Sequence, residues 1–275
     1  MRALFILTFA VGVACAAPAL GQAPPRCGDP HARPDAANAV ALCERELAAA
    51  TNATTDEQAR LLYALAIAQT NLRDLPAAIA TLDRLIARAP SHARAHRLRG
   101  YVYWRQRDFA PALRDTQEAL RLDPALAQAH YSLALIHSFR EGGVAEAIDA
   151  VSRAHALEPQ NPVFLTSRCE IRHAAGQFDL ALADCNAALA LRPRHADTLE
   201  YRGRVHMSAG RFAEARADFE AALSLEDALT PALYGRGLAR VALGETQAGQ
   251  ADMARAIAAD SAVAKLFVAP RTMVY

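Results

Sequence analysis

Chemistry in this chain would have to come from its cysteines and histidines, because the short catalytic signatures are missing. No GxxxxGK[ST] phosphate loop, GxSxG elbow, HExxH, CxxC or GxGxxG run occurs, and each of those marks a turn or helix built around one reaction. Two cysteine pairs share a spacing: Cys27 with Cys43, and Cys169 with Cys185, are each 16 residues apart. Thiols so placed could be metal ligands, a redox couple, a disulfide or two small packing residues, and residue type alone leaves all four open. Among nine histidines, His130 and His137 share a helix face and His206 occupies the place equivalent to His137. A zinc site needs three or four converging ligands, and no convergence is visible. Asp184 and Asp218 fall at equivalent places and read as solvated surface groups rather than a catalytic carboxylate pair. The expectation is therefore no metal, no cofactor and no catalytic residue.

The elements that would carry any site are helices. Hydrophobic residues make up 53% of the 275, but aromatics only 6%, and alanine is frequent, which favours closely packed helices over a β-sandwich. With 30 basic against 29 acidic residues, there is no global electrostatic case for nucleic acid or an anionic membrane. Residues 1–21 read as an export signal: Arg2 supplies the positive end, Leu4 to Cys15 the apolar run, and small residues place cleavage near 19–23. That run is too short to cross a bilayer and no other approaches the length. Gly12 stands where a lipoprotein signal ending at Cys15 would carry a leucine-like residue. Residues 22–35 form an irregular proline-rich lead-in.

Prolines mark the organisation. Pro90, Pro124, Pro159 and Pro193 are separated by 34, 35 and 34 residues, and Asp227 and Ser261 continue the phase. A fixed period in this range signals a helical repeat array. With the proline at position 32, six units follow: 59–92, 93–126, 127–161, 162–195, 196–229 and 230–263. Position 8 is then Ala66, Gly100, Ala134, Cys169, Gly203 and Gly237, and position 20 is Ala78, Ala112, Ala147, Ala181, Ala215 and Gly249. Gly237 is thus a packing residue, which removes the glycine-loop reading of Gly235-Arg236-Gly237. The pattern resembles the tetratricopeptide repeat (TPR), particularly as found in exported bacterial members. Unit 196–229 matches best, with Leu199, Gly203, Gly210-Arg211-Phe212, Ala215, Phe219 and Ala222. The bulky aromatic usual at position 4 is replaced by Leu or His, and the third unit carries an extra glycine at Gly142-Gly143. The expected fold is all-α: a right-handed α-solenoid of about six stacked helix–turn–helix units, stabilised by stacking. Residues 36–58 supply an N-terminal half-repeat helix and linker, and 264–275, broken by Pro270, a C-terminal cap.

The resemblance implies a binding scaffold whose first helices line a concave groove through positions 2, 5, 9, 12 and 13. Mapped onto this chain, the groove residues are Arg94, Arg97, Tyr101, Trp104 and Arg105, then Tyr131, Leu135, Ser138 and Phe139, then Glu170, His173, Asp197, Glu200 and Arg204. One half is basic and aromatic, the composition that most often anchors a protein partner; the other is partly acidic. The Lys–Asn arrangement that grips chaperone tails is absent at positions 5 and 9. The expected function is an exported, periplasmic, non-enzymatic scaffold for a protein or peptide. The alternative is an adaptor of an envelope-assembly or proteolytic complex that docks through its outer faces. Within the repeat, positions 8 and 24 face each other across the helix pair. Cys169–Cys185 and Cys27–Cys43 are therefore expected as disulfides in an oxidising compartment, against the plainer reading of Cys169 as one more small residue.

Overall fold

The computed structural model describes residues 27–28 and 35–267. The expected signal 1–21, most of the lead-in 22–35, and residues 268–275 of the expected cap lie outside the described residues. Thirteen α-helices follow one another, with no strand among the described residues. A lone α1 (Ala36–Ala49) precedes six helix pairs: α2 (Thr55–Asn71) with α3 (Leu75–Arg88), α4 (Ala93–Arg105) with α5 (Phe109–Leu122), and α6 (Ala127–Ser138) with α7 (Val144–Leu157). Then come α8 (Pro162–Ala174) with α9 (Phe178–Leu191), α10 (Ala196–Ser208) with α11 (Phe212–Leu225), and α12 (Thr230–Ala242) with α13 (Thr246–Ala259). A 3-10 helix, Val263–Phe267, ends the described chain.

Local sequence explains where helices stop. A proline disfavours the helical conformation of the residue before it. Ala89, Asp123, Glu158 and Arg192 accordingly sit at φ between −130° and −141°. The turn inside each pair needs one left-handed residue: Gly142, Gly176, Gly210 and Gly244 have φ of 72° to 89°, and Arg73 and Arg107 hold 65° and 63° at the same place. α2 starts four residues ahead of the repeat phase because Thr54 caps it, its Oγ1 accepting from the Glu57 amide at 3.2 Å. The two position-4 histidines also have structural work. Nε2 of His96 and of His130 lie 2.9 Å from the carbonyl oxygens of Pro90 and Pro124.

Each pair packs on itself and on its neighbours, giving a row rather than a ball. First helices also touch along the row, α2 with α4, α4 with α6, α8 with α10 and α10 with α12; second helices do not approach one another comparably. The row therefore curves with first helices on its inner side. α6 and α8 come less close than these pairs. Small residues set the packing: Phe219 of α11 fills the space between Gly203 and Gly235, and a Cβ on Gly203 would meet its ring at 2.8 Å.

One expectation is corrected. Asp184 and Asp218 are not solvated; they are 4% and 6% exposed. Position 7 carries arginine where position 23 carries aspartate, and the 16-residue step sets them face to face. Arg99–Asp115, Arg168–Asp184, Arg202–Asp218 and Arg236–Asp252 are bidentate pairs at 2.6 to 2.9 Å. Three of these arginines also donate backwards, to Asp83, Ser152 and Asn186 of the preceding second helix. In the third unit, Leu133 and Ala150 stand in their place and pack as apolar residues.

The same step joins the cysteines. Cys169–Cys185 ties α8 to α9 with Cα atoms 5.5 Å apart, inside a cluster with Ala181, Leu182 and Val205. Cys27–Cys43 ties the lead-in to α1, Cα atoms 4.7 Å apart, over Leu61 and Leu65 of α2.

Candidate functional site

The inner face holds a cleft of about 430 Å³ where α4, α6, α8 and α10 present their side chains. Its aromatic wall starts from Trp104 and Phe139, near the ends of α4 and α6. Their rings lie 5.7 Å apart, edge to face, with Tyr101 stacked on Trp104 at 5.7 Å and Phe109 stacked on Phe139 at 5.4 Å. Leu135 and Ile171 continue the apolar lining; Ser138, Ser167, Glu170, Tyr201, Arg105 and Arg107 supply polar atoms. Such a mixture, apolar and aromatic with a few fixed polar groups, is the usual make-up of a ligand-binding recess.

Arginines of the Trp104 unit brace this wall, two of them against the preceding unit. Arg97 Nη2 donates to the Tyr63 hydroxyl at 3.1 Å, and Arg105 Nη1 to the Thr70 carbonyl at 2.9 Å. The Arg107 guanidinium sits 5.7 Å from the centre of the Phe139 ring, within the range of a cation–π contact. Arg107 occupies the left-handed turn position that glycine fills in the four later pairs. A non-glycine residue there costs about 1 kcal/mol, and what this one does in return is cover the Phe139 ring.

Tyr131 is fixed beneath the cleft, its hydroxyl 3.0 Å from Ser167 Oγ, and burial raises its pKa. His173 Nε2 lies 2.8 Å from Ser208 Oγ. Burial, then the Arg204 charge, lowers its pKa to about 4, so it stays neutral at pH 7. Glu200 is 5% exposed, and its pKa is raised to about 7 by burial, only partly opposed by Arg204 3.8 Å away.

The fold thus brings together Trp104, Arg105, Leu135, Phe139 and Glu170 of the expected groove, with Tyr101, Arg97 and Tyr131 supporting them. It does not bring in Arg94, exposed at the start of α4, or Asp197, which lines a separate cleft of about 330 Å³ with Arg192, Arg194, His195 and Glu226. Glu200 is buried rather than presented, and Arg204 is already engaged: its Nη2 donates to the Leu266 carbonyl at 3.1 Å. Sequence reasoning missed Arg107, Phe109, Ile171, Ser167 and Tyr201. The arginine at a glycine position was the available signal for Arg107; the others lie at repeat positions not counted as groove-facing.

The tetratricopeptide repeat model matches residues 63–126, 102–162 and 173–232. Among solved structures, PilW, a widely conserved type IV pilus biogenesis factor, is similar at 22% identity and TM-score 0.67, over 73% of this chain and 92% of that one. YrrB, a TPR protein with an unusual peptide-binding site, is similar at 19% identity and TM-score 0.51, over 66% and 92%. A tetratricopeptide repeat protein from Parabacteroides merdae is similar at 18% identity and TM-score 0.64, over 84% and 92%. No curated protein matches the chain.

Proposed function

Because the chain belongs to the tetratricopeptide repeat family, whose model covers more than half of it, we propose that it is a non-enzymatic scaffold holding an extended protein segment in its inner groove. Members of this family are typically interaction scaffolds for protein or peptide partners. The observation that carries the reading is the cleft at Trp104 and Phe139, where ordered rings meet fixed polar groups on the face the first helices share. Aromatic and arginine side chains in such a recess are the usual anchors of a protein partner. The cleft takes a bulky apolar side chain.

Two disulfides fit an oxidising compartment, and residues 1–21 have the form of an export signal, so the scaffold is read as periplasmic. The likeness to PilW agrees with a cell-envelope role. A second reading, docking through the outer faces, draws on the exposed Leu157, Leu180 and Leu191 of the second helices. The test is chemical crosslinking in native envelope. Wild-type protein is expected to capture a defined partner, and Arg97→Glu combined with Trp104→Ala to lose at least tenfold of it. Undiminished capture by that variant would remove the groove assignment.

A further inference from the structure

Charge on the inner face is uneven, and the excess lies beside the cleft. α4 carries four arginines and no carboxylate. Arg99, on the outer side, is the one that meets acidic partners, Asp83 and Asp115. Arg97 and Arg105 donate to neutral oxygens, the Tyr63 hydroxyl and the Thr70 carbonyl. Arg94 is exposed. Among the described residues, none of these last three pairs with a carboxylate. The flanking inner helices do not offset them. α6 has no Asp or Glu, and the two in α2, Asp56 and Glu57, sit in its first turn, before Arg60, the repeat equivalent of Arg94.

The arginines are also in line. Residues 94, 97, 101 and 105 follow at steps of three, four and four, which sets them along one helix face. At 1.5 Å per residue that face runs about 16 Å from Arg94 to Arg105, the length of roughly five extended residues. Its far end is the recess at Trp104 and Phe139. A guanidinium on a neutral acceptor keeps its charge and its remaining N–H donors, and its planar fork matches a carboxylate. An acidic group brought to each therefore gains an ion pair without breaking one inside the protein. Nucleic acid is anionic too, but an inserted base needs an open ring face. Here Tyr101 is already stacked on Trp104, and Phe109 on Phe139.

We propose that the segment held in the groove is acidic: a bulky apolar side chain enters the Trp104–Phe139 recess, and Asp or Glu residues adjoining it in sequence lie against Arg105, Arg97 and Arg94. This deepens the reading of the groove as a peptide site and rests on it.

Trp104 is the sole tryptophan, so its emission reports on the recess. Three blocked peptides carry the same apolar anchor with different charge: GLFGEDEDG, GLFGSNSNG and GLFGKRKRG. The acidic peptide should bind at least tenfold tighter than the neutral one, and the basic peptide more weakly than both. Raising salt from about 50 to about 500 mM should remove most of the acidic peptide's advantage, because the stripe faces solvent. Arg94→Glu, at an exposed position, should weaken the acidic peptide at least threefold and leave the neutral one unchanged. Arg97→Gln with Arg105→Gln should weaken it at least tenfold, whereas Arg97→Lys with Arg105→Lys, which keeps the charge, should retain the acidic preference. Circular dichroism checks that each variant keeps wild-type helicity. Equal affinity for the acidic and neutral peptides overturns the acidic assignment and leaves the groove standing. Preference for the basic peptide overturns it as well, and so does an oligouridylate that binds more tightly than the acidic peptide. Failure of all three peptides to change the emission also overturns the proposal. The groove reading fails separately, through partner capture that survives Arg97→Glu with Trp104→Ala.

Discussion

Glu200 shows how far a single side chain can depart from what its place in the repeat implies. Position 5 should present a carboxylate to the groove. Here Arg204 leans over it and carries the C-terminal turn, and the carboxylate is buried. Its pKa is raised to about 7 from an ordinary value near 4.5, so the folded state holds the proton longer than the unfolded chain. The stability this contributes is fully present below pH 4.5 and is lost as pH rises through 7. Glu200→Gln should therefore match wild type at pH 4.5 and exceed it at pH 8 by on the order of 2 kcal/mol. Urea melts at the two pH values check this, and an equal difference at both would mean the carboxylate is not buried. His173 acts in the opposite direction: its pKa is lowered to about 4 from 6.5, so its contribution is lost as pH falls between those values. Neither shift was legible in the sequence, because both arise from what neighbouring units lay over the side chain. Trp104, Leu135 and Phe139 were legible, because inner-face spacing alone brings them together.

At the scale of the helix pair, one 16-residue step serves two chemistries. It joins position 7 to 23 as Arg–Asp pairs in four units, and position 8 to 24 as the Cys169–Cys185 bond. The aspartates were misread because a carboxylate on an alternating helix looks solvated until its partner one helix away is counted. A buried pair is expensive to break singly and cheap to replace whole. Asp218→Ala should destabilise by about 3 kcal/mol through the unpaired Arg202. Arg202→Leu with Asp218→Ala, copying Leu133 and Ala150 of the third unit, should cost less than about 1 kcal/mol. Thermal denaturation of wild type and the two variants decides, and a double variant at least as destabilised as Asp218→Ala would show that the pair adds net stability. The bridges predict no reactive thiol when protein lacking Cys15 is denatured without reductant; two or four free thiols would remove one or both. Replacing Cys169 and Cys185 together should cost about 3 kcal/mol, the value for a loop of this length.

The whole molecule is a row of like units, and that level was the most legible. The proline phase and the small residues at positions 8 and 20 identify an all-α solenoid, and the thirteen helices and the family match agree. The period could not show how the ends modify the row. The Val263–Phe267 turn folds back over α12 and reaches the groove, a long-range contact that a local repeat pattern does not encode. The Arg107 turn escaped for a related reason, since it departs from the repeat instead of following it. The central claim is that partners enter the inner face. The most direct measurement places a photocrosslinking side chain at Ser138 in the cleft, and separately at the exposed Leu180 of α9, in envelope preparations. One defined adduct is expected from position 138, abolished by Trp104→Ala, and none from position 180. The same adduct from position 180, with position 138 silent, would contradict it.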